Sequence, residues 1–201
     1  RHEQGATHAA QGYARVSGKT GVVIVTSGPG ATNAITGISD AMMDSTPMVV
    51  IMGQVASESL GSDAFQETDV IGITQPVTKW SHQIRTADEI AWAVSRAFYI
   101  ASTGRPGPVV LDFAKNAQNG LVEWNDDYQK CKFIRSYIPY PTVDEEDVDT
   151  VAEIINAAER PLIVSGHGVM IAEAEKELVA LAEKADIPVS TTLLGLSTIP
   201  S

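Results

Sequence analysis

The stretch VVIVTSGPGATN, residues 22–33, joins a run of apolar, mostly β-branched residues to a Gly-Pro-Gly turn. The apolar run 22–26 is typical of a strand covered on both faces of a parallel sheet, and a helical pattern of small residues follows the turn. Open α/β sheets bind ligands outside the carboxyl ends of their strands, where helix N-terminal amides attract polar groups. On this stretch alone, a plain connecting turn is an equally good interpretation.

Upstream of this stretch, residues 5–16 have the spacing of a helix, and Gly18 is placed to end it. The face of that helix predicted to be buried consists of Ala6, Ala9, Ala10, Tyr13 and Ala14. Glu3 stands directly before this face. A charge beside a buried surface is costly unless it has a partner or a task, so Glu3 is a candidate functional group.

Downstream, buried strands are predicted at residues 48–52 and 109–113, with an irregular segment at 53–80. A capping box of Thr86 with Glu89 predicts the start of a helix between the two strands. Strands that alternate with helices indicate an α/β fold with a parallel, flavodoxin- or Rossmann-like sheet and right-handed crossovers.

A second domain is predicted after residue 141. Residues 118–141 lack a clear period and are interpreted as a linker after a first domain at 1–117. A capping box of Thr142 with Glu145 opens residues 142–201. There, strands at 161–165 and 187–192 and a helix at about 171–185 form a new βαβ unit. Two strands rarely complete such a domain, so we expect a truncated domain and a chain that is an internal fragment.

Composition excludes several function classes. The 201 residues carry a net charge of −11, which opposes binding to nucleic acid. No apolar run approaches the ~20 residues that span a bilayer, so no membrane association is expected. The single cysteine, Cys131, excludes an internal disulfide and a cysteine-cluster metal site, and a cytoplasmic location is expected.

Common nucleotide and hydrolase motifs do not fit. The dinucleotide fingerprint fails because Asn33 stands where its third glycine is required, and five residues separate Gly12 from Gly18 where a P-loop has four. No G-x-S-x-G elbow supports a serine hydrolase. The turn SGHG, 165–168, is better interpreted as a plain turn than as a phosphate site.

Taken in order, several segments resemble one family. They are RHEQGATHAAQGYARVSG (1–18), GVVIVTSGPGATNAITGISDAMMDSTPMVVIMGQV (21–55), GSDAFQETDVIGITQPVTKW (61–80) and STGRPGPVVLDFAKN (102–116). They are similar to thiamine-diphosphate-dependent enzymes, and within these to the catalytic, or large, subunit of acetolactate synthase. PLIVSGHG (161–168) and TTLLGLSTIP (191–200) resemble the central, FAD-binding domain. The resemblance therefore implies a partial pyrimidine-binding domain, a linker and the start of a central domain.

The resemblance also implies the reaction and its cofactors. The family condenses two pyruvates to 2-acetolactate and CO₂, or pyruvate with 2-oxobutyrate to 2-aceto-2-hydroxybutyrate, in branched-chain amino acid biosynthesis. It uses thiamine diphosphate, FAD that is largely structural, and Mg²⁺ bound by a G-D-G…N motif, which does not occur in this chain. The isolated chain is expected to be inactive for that reason.

Site residues follow from the resemblance position by position. Glu3 matches the glutamate that hydrogen-bonds N1′ of the aminopyrimidine ring and exchanges a proton with it. The other matches are Thr26, Pro29, Asn33 and Gln54 in the pyrimidine pocket, Phe65, Gln66 and Lys115 in the substrate channel, and Arg105, Gly166, Gly168, Thr192 and Leu193 around FAD. His167 interrupts the usual three glycines of the flavin turn.

Partners and rival functions are implied in the same way. The substrates are small 2-oxoacids, the assembly is a homodimer or homotetramer formed through the pyrimidine-binding domain, and a small regulatory subunit accompanies some members. One rival is another thiamine-diphosphate decarboxylase, carboligase or oxidase, against which GSDAFQE (61–67) and Lys115 argue. A rival of another class is a non-catalytic nucleotide-binding module.

Overall fold

The computed structural model describes residues 2–123 and 130–200. Its contacts divide the chain into two compact units, Arg1–Pro141 and Thr142–Ser201. The helices and strands of the first unit are α1 (Glu3–Ser17), β1 (Gly21–Val25), α2 (Pro29–Met43), β2 (Met48–Gln54), α3 (Val70–Thr74), β3 (Trp80–Ile84), α4 (Glu89–Ser102), β4 (Pro108–Ala114) and α5 (Lys115–Asn119). Those of the second unit are α6 (Glu145–Ala157), β5 (Ile163–Ser165), α7 (His167–Ile171), α8 (Glu175–Ala185) and β6 (Val189–Thr191).

A four-stranded parallel sheet with strand order β1-β2-β4-β3 organises the described part of the first unit. Its central register pairs Val23 with Val50 and Val50 with Val110. On the other side of β4, His82 of β3 pairs with Leu111. The predicted α/β fold with a parallel sheet is therefore confirmed.

The core lies on both faces of this sheet. On one face, Ala31, Ala34 and Ile38 of α2 cover inward residues of β1 and β2. On the other, Ala93, Ala97 and Ala101 of α4 cover Val109 and Leu111. The alanines at these positions let the helices approach closely, and every residue of β4 is buried.

Strand β1 is an exception to the prediction that its run is covered on both faces. Val22 is 48% exposed and Ile24 is 73% exposed, because α4 packs on β2, β3 and β4 and leaves this side of β1 uncovered within the described residues. β1 therefore buries only every second residue.

The predicted face of α1 is also wrong in part. Ala10 and Ala14 are buried, but Thr7 and Gln11 are buried beside them while Ala6, Ala9 and Tyr13 are exposed. The two polar side chains are satisfied by backbone carbonyls: the Thr7 hydroxyl donates to Gln4 O at 2.8 Å and the Gln11 amide to Gly37 O at 2.8 Å. Backbone hydrogen bonds thus allow a polar face to pack against α2.

Strand β3 was not predicted, because its sequence WSHQI is polar and its first four residues are only half-buried. The capping boxes also differ from the prediction. Thr86 bonds the Glu89 side chain at 3.0 Å rather than a backbone amide. At α6, Asp144 is the N-cap and accepts from the Glu146 amide at 3.0 Å, in place of Thr142.

The second unit contains a two-stranded parallel pair, β5 with β6, among its described residues. The helix predicted at about 171–185 begins earlier and is interrupted. α7 starts at His167, within the predicted turn, and Glu173, at a φ of 53°, separates it from α8. α6 carries no buried residue.

The segment predicted as a linker packs, in its described part, on the first unit. Ile134 is buried in the core beneath α4, and Tyr137 stacks edge-on against Tyr99. The Tyr137 hydroxyl also donates to Thr103 O at 2.7 Å. Across both units, no described helix combines the length and the apolar character needed to cross a bilayer.

Candidate active site

The carboxyl ends of β1, β2 and β4 meet at one edge of the sheet, because the three strands are parallel and adjacent. The residues that follow them are Thr26 after β1, Val55 after β2 and Lys115 after β4, and the Lys115 amide donates to Val55 O at 3.3 Å. Three segments that carry predicted site residues are thus brought to one edge, where this fold class binds ligands.

Glu3 points at the beginning of α2. It occupies the first turn of α1, behind the N-cap His2, and its Oε2 accepts a hydrogen bond from Asn33 Nδ2 at 3.0 Å. This bond lowers the pKa of Glu3 below its ordinary value of 4.5, with help from the backbone amide. The carboxyl group is therefore ionised at neutral pH and fixed in orientation. It is half-buried rather than enclosed.

The turn between β1 and α2 is shaped by two glycines. Gly28 has a φ of 55°, which L side chains rarely adopt, and it is the N-cap of α2 with Pro29 as the first helical residue. A Cβ added to Gly30 would lie 2.7 Å from Thr26 Cγ2 and 3.8 Å from Glu3 Oε1. The absence of a side chain at Gly30 lets Thr26 pack directly on the turn beside the Glu3 carboxylate.

A loop over this turn carries Phe65 and Gln66. The Glu67 carboxylate folds the loop by accepting from the amides of Gly61 and Ala64, the latter at 3.0 Å, and these bonds lower the pKa of Glu67. Gln66 has a φ of 61°, and a Cβ on Gly28 would lie 2.7 Å from its carbonyl oxygen. The loop therefore rests on the turn through a contact that only glycine permits.

Gln54 anchors the other end of this loop. Its side chain is 5% exposed, and its Nε2 donates to Thr68 O at 2.8 Å while its Oε1 accepts from the Val55 amide at 2.9 Å. Phe65 is 88% exposed and Lys115 is exposed. Gln66 is exposed as well, so all three channel candidates project from the edge rather than line an enclosed pocket in the described part of this chain.

Arg105 lies away from this edge. It precedes β4, at the amino ends of the strands, and caps the C-terminus of α2. Its Nε donates to Ser45 Oγ at 2.8 Å and its Nη2 to Met43 O at 3.0 Å. These bonds satisfy carbonyls that a helix end leaves without partners.

The flavin candidates of the second unit lie at the carboxyl ends of β5 and β6. A Cβ on Gly166 would approach Thr192 Oγ1 at 3.6 Å, and the Thr192 amide donates to Ser165 O at 2.9 Å. Leu193 is 82% exposed and Gly168 borders open space. The sequence analysis missed Gly195, whose added Cβ would lie 2.5 Å from Ser165 O. The available signal was a glycine three positions after the predicted strand 187–192.

Asp112 is a second residue that was not predicted from the sequence. This residue lies in the middle of the buried strand β4 and is 0% exposed. Gln83 Nε2 donates to its Oδ2 at 2.8 Å and Gln54 Nε2 at 3.4 Å. A lone acid within the apolar run VVLDF was the available signal, because a buried carboxylate is costly. Among the described residues, no group of three or more His, Cys, Asp or Glu side chains could hold a metal ion.

Two models of known protein families match parts of this chain. The model of the thiamine pyrophosphate enzyme N-terminal TPP binding domain matches residues 1–73, which include Glu3 and the turn. The model of the thiamine pyrophosphate enzyme central domain matches residues 148–201. Two stretches of the chain thus match domains of the thiamine pyrophosphate enzymes. Thiamine pyrophosphate is another name for thiamine diphosphate, so this part of the resemblance is confirmed.

Within this family, the three relatives described below are all acetolactate synthase large subunits. The chain is 49% identical over 200 residues to the acetolactate synthase large subunit of Buchnera aphidicola from Schizaphis graminum, covering 100% of this chain and 35% of that protein. It is 46% identical over 201 residues to that of Haemophilus influenzae, with the same coverage. It is 42% identical over 201 residues to the acetolactate synthase isozyme 3 large subunit of Escherichia coli, again covering 100% of this chain and 35% of that protein. The chain thus spans about a third of the length of these relatives.

Proposed function

We propose that this chain supplies the pyrimidine-side proton site of an acetolactate synthase large subunit. The reaction is the decarboxylating condensation of two pyruvates to 2-acetolactate, or of pyruvate with 2-oxobutyrate to 2-aceto-2-hydroxybutyrate. The observation that carries the proposal is the Glu3 carboxylate, held by Asn33 at the Gly28–Gly30 turn. Similarity to acetolactate synthase large subunits along the whole chain supports it.

The residues at the edge of the sheet fit the aminopyrimidine ring of thiamine diphosphate. The ring is flat and has a basic nitrogen, N1′, which needs a proton partner. Glu3 is an ionised carboxylate with a fixed orientation, and Gly30 lets the backbone of the turn lie close to its Oε1. Thr26 packs against Gly30, and Pro29 is the first residue of α2. The N-terminus of α2 carries a partial positive charge, which attracts polar groups.

Each residue has a limited task in this proposal. Bound thiamine diphosphate supplies the electron sink for decarboxylation of a 2-oxoacid. Glu3 holds and moves one proton at the ring nitrogen N1′. Asn33 orients the carboxylate and keeps its pKa low, so that the proton passes to the ring rather than staying on Glu3. Gln54 fixes the loop that closes over the turn.

The exposed candidates are assigned to surfaces that this chain does not complete. Phe65, Gln66 and Lys115 are proposed to face the substrate channel, where the Lys115 ammonium attracts the carboxylate of a 2-oxoacid. Their exposure fits a channel formed with a second copy of the chain. FAD contacts are proposed for each unit separately, at Arg105 in the first and at Gly166, Gly168, Thr192 and Leu193 in the second. Mg²⁺ is proposed at residues that this sequence does not include.

A chimera with product analysis tests the proposal. Residues 2–200 replace the matching segment of the Escherichia coli isozyme 3 large subunit, and the chimera is supplied with pyruvate, thiamine diphosphate, Mg²⁺ and FAD. We expect acetolactate as the main product. Acetaldehyde as the main product would instead indicate a decarboxylase, and acetyl phosphate with peroxide an oxidase. A folded, cofactor-loaded chimera that forms none of these would contradict the proposal.

A further inference from the structure

One buried carboxylate has no task in the proposed mechanism. Asp112 lies on β4 opposite Met52 of β2 and Gln83 of β3, and its side chain is entirely buried. The described residues provide no cation within ion-pair distance of it. Its partners are two neutral carboxamides, those of Gln83 and Gln54, and both donate to Oδ2.

The second oxygen of this carboxylate has no partner. Oδ1 of Asp112 is buried without a hydrogen bond among the described residues. Burial raises the pKa of Asp112 to about 6, against the two amide donors that lower it, and the nearby charge of Asp69 raises it further. A buried carboxylate with one oxygen lacking a hydrogen bond destabilises the fold, so Asp112 has a role other than stability.

Gln54 connects this acid to the loop of the candidate site. Its single Nε2 group donates both to Asp112 Oδ2, at 3.4 Å, and to Thr68 O, at 2.8 Å. Because its Oε1 accepts from the Val55 amide at 2.9 Å, the carboxamide cannot flip without losing all three bonds. Asp112 therefore favours the one orientation in which Gln54 holds Thr68.

Thr68 ends the segment that rests on the Gly28 turn. Between residues 61 and 67 the loop is folded by the Glu67 carboxylate and passes through Gln66 in a left-handed conformation. This strained stretch contacts Gly28 at one side and is attached to the sheet through Thr68 at its end. The position of Phe65 and Gln66 thus depends on the Gln54 carboxamide.

We propose that Asp112 is a positioning residue, which orients Gln54 so that the Phe65–Gln66 loop stays seated on the turn beside Glu3. Its effect on catalysis rests on the proposed function, whereas its effect on the loop does not. Asp112 reaches neither cofactor nor substrate and acts only through Gln54.

Amide hydrogen exchange of the 201-residue chain tests this proposal. The variant Asp112→Leu keeps the branched outline of the side chain and removes the acceptor. Gln83→Leu is the matched control, since it removes the other donor to Asp112 without touching Gln54 or Thr68. We expect Asp112→Leu to speed exchange of the residue 61–68 amides at least tenfold relative to those of α2. We expect Gln83→Leu to leave this ratio within twofold of wild type, even where it lowers global stability.

Two results would overturn the proposal. One is loop exchange that rises equally in both variants, which would indicate a purely structural acid. The other is loop exchange that stays at the wild-type rate in Asp112→Leu. If that variant does not fold, Asp112→Val decides: it also removes the acceptor of Gln54 Nε2, so at least threefold faster loop exchange is expected and an unchanged rate contradicts the proposal. Failure of the chimera to form acetolactate would leave these rates unaffected, so the two proposals fail separately.

Discussion

At the scale of single residues, the Glu3–Asn33 hydrogen bond sets the charge of the candidate site. Asn33→Ala removes the amide that contributes most to the low pKa of Glu3. The pKa of Glu3 should therefore rise toward its ordinary value of 4.5, as measured by carbon-detected NMR titration of the side chain. Thr32→Ala, one position earlier and exposed, is the control and should leave the titration unchanged. An unshifted Glu3 in Asn33→Ala would show that the bond is not formed in solution.

Gly28 combines a positive φ with a close contact to Gln66, and comparison with Gly18, which has a positive φ alone, separates the two effects on stability. Gly28→Ala should lower the free energy of unfolding by about 2–4 kcal/mol. The added methyl group would clash with Gln66 O, and the alanine would have to adopt a strained, positive φ. Gly18→Ala, at a φ of 68° with open space around it, carries strain alone and should cost about 1 kcal/mol. Equal losses in denaturant titrations would mean that the loop does not rest on this turn.

Asp112 makes stability depend on pH in a defined direction. Its pKa is about 6 in the folded chain against 3.8 for an unperturbed Asp, so the folded state binds the proton more tightly. Its neutral form stabilises the fold fully below about pH 4, and this contribution is lost as pH rises through 6, about 3 kcal/mol in total. In urea titrations, wild type should lose stability relative to Asp112→Asn between pH 4 and 6. A constant difference across that range would contradict the pKa assignment.

The sequence predicted where in the fold the candidate site lies, but not the hydrogen bonds between its side chains. The glycines and small residues of SGPGATN predicted a turn at the carboxyl edge, because the backbone geometry there has few solutions. The partnership of Asp112, Gln54 and Gln83 depends on the register of three strands, which one sequence does not specify. The bonds of Arg105 to the end of α2 were missed for the same reason, since the residues involved lie about 60 positions apart.

At the scale of elements, buried strands were predicted from the sequence, whereas the half-buried strand β3 was not. β2 and β4 read as continuous apolar runs because helices cover both of their faces. β1 has the same composition but is covered on one face only, so composition alone could not tell the two situations apart. β3 was not predicted because its sequence is polar and its first four residues are only half-buried. The α1 face was predicted wrongly because Thr7 and Gln11 pack through hydrogen bonds to backbone carbonyls rather than as apolar groups.

At the scale of the whole molecule, the first unit contains its own core and all the residues of the Glu3 site. Two apolar clusters, one on each face of the sheet, lie within Arg1–Pro141. A polypeptide of residues 1–141 should therefore fold alone, and the Glu3 and Asn33 resonances should keep their chemical shifts and their titration. Collapse of the spectrum, or a Glu3 titration that moves to an ordinary value, would show that the site needs residues 142–201.

The central claim is that Glu3 exchanges the proton on which catalysis depends, and Glu3→Gln in the acetolactate-forming chimera tests it most directly. A glutamine keeps the size and the hydrogen bond to Asn33 but cannot take up a proton in this range of pH. With Glu58→Gln, an exposed glutamate, as the control, kcat for acetolactate should fall about a thousandfold in Glu3→Gln and stay at its starting value in the control. A Glu3→Gln chimera that retains normal turnover would contradict the account.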